Sequence, residues 1–184
     1  MSVLINLRDH KKLPEAENEI RTYILKHPKE VVFEKNINED LKRRDFTVNA
    51  LAYNPKEGIV DLFNGKKDID NKIIRAVGNA DERFKEDALR ILRAIRFEST
   101  LGFSCDEETK RGIFENATLL EGISKERIKA ETDKMFSKGR NVEKTLLKYE
   151  EIFKTAIKSI KSLKEAKGID NFEGEAKWAK LLLG

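Results

Sequence analysis

Cysteine occurs once in this 184-residue sequence, at Cys105, and histidine only twice, at His10 and His27. A lone thiol closes no internal disulfide, and no Cys/His grouping has the spacing of a zinc site, so the chain reads as one built for a reducing compartment. Neither histidine stands in a His-Asp pair, which disfavours a metal phosphohydrolase, and no Ser-His-Asp or Cys-His set can be assembled. Apolar runs are short as well. None approaches the ~20 residues of a membrane span, and the N-terminus lacks the basic-then-apolar order of a signal peptide. The cytoplasm is the expected location.

Charge is plentiful but close to balanced. The 37 Lys and Arg stand against 33 Asp and Glu, and the resulting +4 leaves a polyanionic partner open without demanding one. The length suits one ordinary domain or two small ones with a real hydrophobic core. There are no internal repeats and no low-complexity tracts.

Patterning divides the chain in two. Val3-Leu4-Ile5 is a short apolar start, residues 8–19 are polar without strand alternation, and 1–30 as a whole stays unassigned. Val31, Val32 and Phe33, bounded by Pro28 and Asn36, predict a strand over Glu30–Glu34. Ala50–Tyr53 and Ile59–Phe63 around the Asn54–Gly58 turn predict a hairpin, Asp68–Lys72 a short helix, and Ile73–Val77 a third strand ended by Gly78. From Asp81 the apolar residues recur at three and four, with Gly102, Gly122, Gly139 and Gly168 where helices would end. This predicts helices over 81–101, 106–117, 124–138, 141–149, 151–166 and 175–183.

The fold class is therefore α+β, a sheet fragment over 31–80 followed by helices over 81–138 and 139–184. So short an open sheet needs cover, which raises the expectation that something precedes Met1. Lys154, Lys158, Lys161 and Lys164 are predicted to share one helix face opposite Ile152, Ala156, Ile157, Ile160 and Leu163. That face reads as solvated or as phosphate-binding.

Two clusters carry the chemistry. In Asp40-Leu41-Lys42-Arg43-Arg44-Asp45-Phe46-Thr47-Val48-Asn49, three cations precede an acid, a hydroxyl and an amide. Arg takes two phosphate oxygens at once and a carboxylate accepts from a sugar hydroxyl, although an exposed charged helix turn has the same composition. The second cluster runs from Asp81 to Phe97. At about 100° per residue, Ala88, Leu89, Ile91, Leu92 and Ile95 share one arc, while Arg83, Asp87 and Arg90 take the other. An ordinary helix ion pair, with Glu86 to Arg90 adding to it, is the plainer reading and is worth a few tenths of a kcal/mol.

Together these residues resemble a known family. Arg43-Arg44-Asp45-Phe46-Thr47-x-Asn49-Ala50, Asp61 with its Phe-Asn-Gly turn, Ile74-Arg75-x-Val77-Gly78, and Arg83-Phe84-x-Glu86-Asp87-x-x-Arg90-x-x-Arg93-Ala94-x-Arg96-Phe97 are similar to motifs of the bacterial tRNA nucleotidyltransferase and poly(A) polymerase family, the class II CCA-adding enzymes. The likeness runs from about Pro28 to Lys138. It implies a partial nucleotidyltransferase head at 31–80, a helical neck at 81–138, and the start of a helical body on the RNA-binding side at 139–184. It further implies ATP and CTP as substrates, a tRNA or other RNA 3′ end as partner, and addition of C, A or both to that end.

By the same resemblance Arg43, Arg44 and Asp45 contact triphosphate and ribose, Asp87 and Arg90 the base edge, and Arg93 the triphosphate; Asp61 and Arg96 are auxiliary. The chemistry of the base pair of residues stands on its own. Asp87 only accepts and Arg90 only donates, which suits the exocyclic amine beside a ring acceptor of cytosine and adenine. Guanine and uracil invert that order and leave like groups facing, at a cost of about 1–3 kcal/mol for each unpaired group. Ser124-Lys125-Glu126-Arg127 resembles the last family motif, with Ser124 an N-cap and the helix a scaffold for Asp87.

One part of the pattern is missing. The family carries a Gly-Gly-x-Val-Arg-Asp segment and an Asp-x-Asp pair before the first cluster, which hold the Mg²⁺ ions of nucleotidyl transfer. Neither stands there. Arg8-Asp9 lacks the glycines, and Asp68-Ile69-Asp70 follows the Asn-Gly turn, where the family has no metal site, so it reads as a decoy. The expectation is a chain inactive alone for want of metal ligands. It would be a truncated or split enzyme served by a second chain, a non-catalytic nucleotide- or tRNA-binding module, or a decayed product.

Overall fold

The computed structural model describes residues 3–4, 37–54, 58–160 and 163–183. The predicted strand over Glu30–Glu34 lies outside them, as does the unassigned segment 1–30 apart from residues 3–4. The fold is α+β and divides into two compact units, Met1–Gly78 and Asn79–Gly184.

In the first unit a three-stranded antiparallel sheet has the order β1 (Val3–Leu4), β2 (Leu51–Asn54), β3 (Gly58–Asp61). Leu51 faces Asp61 and Tyr53 faces Ile59 across the hairpin, while Val3 pairs with Tyr53 on the other edge of β2. Leu51, Ala52 and Tyr53 are all buried, the unbroken apolar run of a strand covered on both faces. Helix α1 (Ile37–Lys42) packs its fully buried Leu41 beside β2. A 3₁₀ turn (Thr47–Asn49) then receives α2 (Gly65–Asp70), and a Cβ at Gly65 would overlap the Thr47 carbonyl, so only glycine permits that approach.

Two expectations for this unit are corrected. The short helix starts at Gly65 rather than Asp68, because Asp61 accepts backbone N–H bonds from Phe63, Gly65 and Lys66 and turns the chain into it early. The third strand is only β4 (Ile73–Ile74). Beyond it the chain runs along residues 45–47, where the Thr47 N–H donates to the Arg75 carbonyl (2.9 Å) and the Val77 N–H to that of Asp45 (3.0 Å).

The second unit comprises α3 (Ala80–Glu86), α4 (Leu89–Leu101), α5 (Glu107–Glu115), α6 (Lys125–Lys138), α7 (Val142–Lys148), α8 (Glu150–Ala156) and α9 (Glu175–Leu183). Asn79, Asp106 and Ser124 cap α3, α5 and α6 by accepting from the backbone N–H three residues on. Gly102 ends α4 in the left-handed conformation. Helices α4 and α6 pack side by side, and the predicted arc of Ala88, Leu89, Ile91, Leu92 and Ile95 is buried throughout. None of the described helices is long and apolar enough to cross a membrane.

Two predicted helices are corrected here. The segment 81–101 is two helices, because Asp87 is extended (φ −151°, ψ 101°) and its carboxylate accepts from the Leu89 N–H (3.2 Å). An aspartate whose side chain bonds its own backbone competes with the helix ladder. The segment 151–166 ends as a helix at Ala156. There the chain turns, with the Ile160 N–H on the Ile157 carbonyl and the Leu163 N–H on the Glu150 carboxylate, and Ile160 and Leu163 are buried by the turn. Lys154, Lys158 and Lys164 therefore do not share a helix face, and Lys161 lies outside the described residues.

Candidate functional site

The first cluster is built around two acids. Asp40, on α1, accepts from both Arg43 and Arg44, each through Nε at 3.2 Å and Nη2 at 2.9 Å. Burial opposes ionisation of Asp40, but Arg44 and Arg43 outweigh it and hold the carboxyl below the ordinary aspartate range. Asp45 is buried, and its Oδ1 accepts from the Phe46 N–H (3.0 Å) and from Asn49 Nδ2 (2.6 Å). Asp40 thus joins Arg43 to Arg44 and Asp45 joins Asn49 to the Phe46 backbone, with Arg43 exposed and Arg44 half-buried. Asp61 caps the turn into α2 with both carboxylate oxygens.

Asp68 is a structural centre. Its buried carboxylate accepts from Thr47 Oγ1 (2.7 Å) and from Arg75 Nε (3.0 Å), tying α2 to both strands of backbone that flank the first cluster. Asp70 is exposed two residues on. Among the described residues no three His, Cys, Asp or Glu side chains gather as a metal site.

The second cluster sits at the junction of α3 and α4. The expected sharing of one helix face by Asp87 and Arg90 is corrected by the break at Asp87. Asp87 instead meets α6, where Arg127 Nη2 lies 3.1 Å from both its oxygens. Arg90 Nη1 donates to Glu86 Oε2 (2.7 Å), the i,i+4 contact expected, and to the Arg83 carbonyl (3.1 Å). Arg83 reaches the same Glu86 oxygen at 2.8 Å.

Farther along α4, Arg93 lies 5.9 Å from the Phe97 ring centre and Arg96 4.2 Å. Arg96 Nε also donates to Glu131 Oε2 (2.8 Å); the Glu131 side chain is buried and that of Arg96 is largely covered. Burial opposes the charge on Glu131, but Lys134 and Arg96 keep its carboxyl below the usual range. A groove of about 670 Å³ between α6, α8 and α9, walled by Ile128, Ile157 and Trp178, includes none of the predicted site residues.

One residue in these clusters, Asp40, takes no role from sequence, while Arg127 enters only within the Ser124–Arg127 motif read as scaffold for Asp87. Asp40 stands three and four positions before Arg43 and Arg44, a spacing that would have announced the contact. Arg127 lies forty residues from Asp87, and no local pattern links them.

An α+β unit with an arginine-rich turn beside its sheet, followed by a helical unit that carries Glu86, Asp87 and Arg90, is consistent with a partial nucleotidyltransferase fold. The comparisons agree. The family model described as Poly A polymerase head domain matches residues 7–75, and that described as Probable RNA and SrmB-binding site of polymerase A matches residues 102–163. The CCA-adding enzyme of Lactobacillus helveticus is 54% identical over 110 residues, 60% of this chain and 28% of that protein. The CCA-adding enzyme of Lacticaseibacillus paracasei is 50% identical over 119 residues, 65% of this chain and 30% of that protein.

Solved structures are similar too. The Bacillus stearothermophilus CCA-adding enzyme in complex with CTP superposes with a TM-score of 0.65 at 41% identity, over 73% of this chain and 35% of that one. The Thermotoga maritima CCA-adding enzyme complexed with tRNA gives 0.66 at 28% identity, over 80% and 38%. The chain belongs to the tRNA nucleotidyltransferase and poly(A) polymerase family. It spans about three-tenths of the length of the curated relatives it matches.

Proposed function

We propose that this chain provides the nucleotide-selecting and RNA-binding part of template-independent addition of C and A to RNA 3′ ends. The observation that carries the reading is the acceptor and donor at the α3–α4 junction, Asp87 and Arg90, in a chain whose relatives are CCA-adding enzymes. Asp87 accepts from the exocyclic amine of cytosine or adenine, and Arg90 donates to the neighbouring ring nitrogen. A carboxylate has about four acceptor sites, and Leu89 and Arg127 leave capacity on Oδ2 for the base amine. Arg90 turns an N–H from Glu86 to the ring.

In this reading Arg43, Arg44, Asp45 and Arg93 hold triphosphate and ribose, with Asp61 and Arg96 keeping their neighbours in place. Residues 31–80 serve as head, 81–138 as neck, and 139–184 as the start of an RNA-facing body. A tRNA acceptor end is the proposed polymer partner. In this reading the Mg²⁺ of transfer is held by carboxylates supplied from outside the described residues. The same observation favours a second reading, a non-catalytic module that only binds nucleotide or the tRNA acceptor.

Equilibrium titration with the four nucleoside triphosphates tests base selection. Asp87→Ala and Arg90→Ala each weaken CTP and ATP binding about tenfold, the size of one charged hydrogen bond, and leave GTP and UTP unchanged. Equal loss for all four nucleotides refutes selection by this pair. With labelled CTP and ATP and a tRNA lacking its 3′ end, the 184-residue chain alone incorporates nothing. Incorporation abolished by Asp70→Ala, at the exposed member of the pair, would identify a metal site there after all.

A further inference from the structure

Asp40 has no role in the reading above, yet its geometry is specific. Helix α1 ends at Lys42, and the Arg44 N–H closes the turn on the Leu41 carbonyl (3.2 Å), which carries both arginine side chains back over Asp40. Oδ1 takes Nε and Nη2 of Arg43, and Oδ2 takes Nε and Nη2 of Arg44. One carboxylate, its side chain 13% exposed, thus grips two guanidiniums by the same edge. A guanidinium has five N–H donors in a fixed plane, so two bonds along one edge set the direction of the others.

We propose that Asp40 is a positioning residue for nucleoside triphosphate, orienting Arg43 and Arg44 as one paired phosphate clamp. The inference rests on the reading that Arg43 and Arg44 bind the triphosphate. Its sign separates it from simple charge balance. An acid that merely neutralised two cations would repel a polyanion, and its removal would tighten triphosphate binding. An acid that aims them weakens binding when it is lost, because the fork no longer matches the phosphate oxygens.

The test is titration of the 184-residue chain with CTP and with CMP. In Asp40→Asn the Oδ1 of asparagine still serves one arginine, but its NH₂ faces the other. The expected result is a rise of about tenfold in the Kd for CTP, a smaller change for CMP, and an unaltered preference for CTP over GTP. Unchanged or tighter CTP binding overturns the proposal.

Arg44→Lys, which keeps the charge and loses the fork, is the second variant and decides the matter if Asp40→Asn does not fold. It is expected to lose CTP affinity comparably, and wild-type affinity overturns the proposal. The double variant Arg43→Ala/Arg44→Ala tests the underlying reading. If it keeps the preference for CTP over CMP, those arginines do not bind the triphosphate and the proposal falls with that reading. If it loses the preference while Asp40→Asn and Arg44→Lys retain it, the clamp alone is wrong.

Discussion

Two carboxylate–guanidinium pairs join the chain around α4 to α6, Arg96 with Glu131 and Arg127 with Asp87. Their chemistry is the same and their surroundings differ. Arg96 and Glu131 have side chains 11% and 4% exposed, whereas Asp87 and Arg127 are at 34% and 51%. A buried pair cannot release either partner without leaving a charge in the core, so it belongs to the fold. A half-exposed pair exchanges its partners with water or ligand at small cost, so it is available for recognition. One helix pair thus has a fixed end and an exchangeable end, and the proposed base-reading acid sits at the exchangeable one.

The largest expected effect lies at the fixed end. Glu131→Ala removes the buried carboxylate that Arg96 and Lys134 both meet, and breaking a buried pair costs about 3 kcal/mol or more. Urea unfolding followed by the fluorescence of Trp178, the sole tryptophan, measures it, and Trp178 packs against Phe136 on the same helix α6. Asp87→Ala in the same assay should lose less than about 1 kcal/mol. Equal losses for the two variants would erase the distinction between the ends.

The acid limb of stability sharpens it. Glu131 titrates below its ordinary value of 4.5 in the folded chain. A depressed carboxyl stabilises the fold above the unfolded value, and that stability is lost as pH falls through the lower folded value. The midpoint for unfolding should therefore drop steeply below about pH 4.5 in the wild type and less steeply in Glu131→Gln. Parallel acid limbs would mean that Arg96 and Lys134 do not favour the charged form of Glu131.

The difference between the ends also explains what the sequence made legible. Periodicity places α4, α5, α6 and the core arc correctly, because burial of a helix face is a repeating local signal. The hairpin is equally legible from Ala50–Tyr53, the turn and Ile59–Val60. The break at Asp87 is not, since Ala88, Leu89, Ile91 and Leu92 continue the helical rhythm through it. What ends α3 is a side-chain bond to Leu89 and a partner on α6, and only the first is local. The partners Arg96–Glu131 and Asp87–Arg127 lie 35 and 40 residues apart, so neither pairing leaves a trace in spacing. The Asp40 clamp is the converse case, fully local and visible as i,i+3 and i,i+4, yet overshadowed by the cations it holds.

The smallest expected effect is at the exchangeable end and depends on salt. Arg127→Gln removes a guanidinium that meets Asp87 across a partly solvated gap, so the loss of stability should be a few tenths of a kcal/mol at low ionic strength. Near 1 M salt the Debye length falls to about 3 Å, comparable with the contact itself, and the difference from wild type should vanish. The Glu131→Ala deficit, screened by protein rather than by ions, should persist at the same salt. A persistent Arg127→Gln deficit would place the Asp87–Arg127 pair with the fixed end. Asp87 would then be a structural acid first, and a base would have to compete with the fold to be read.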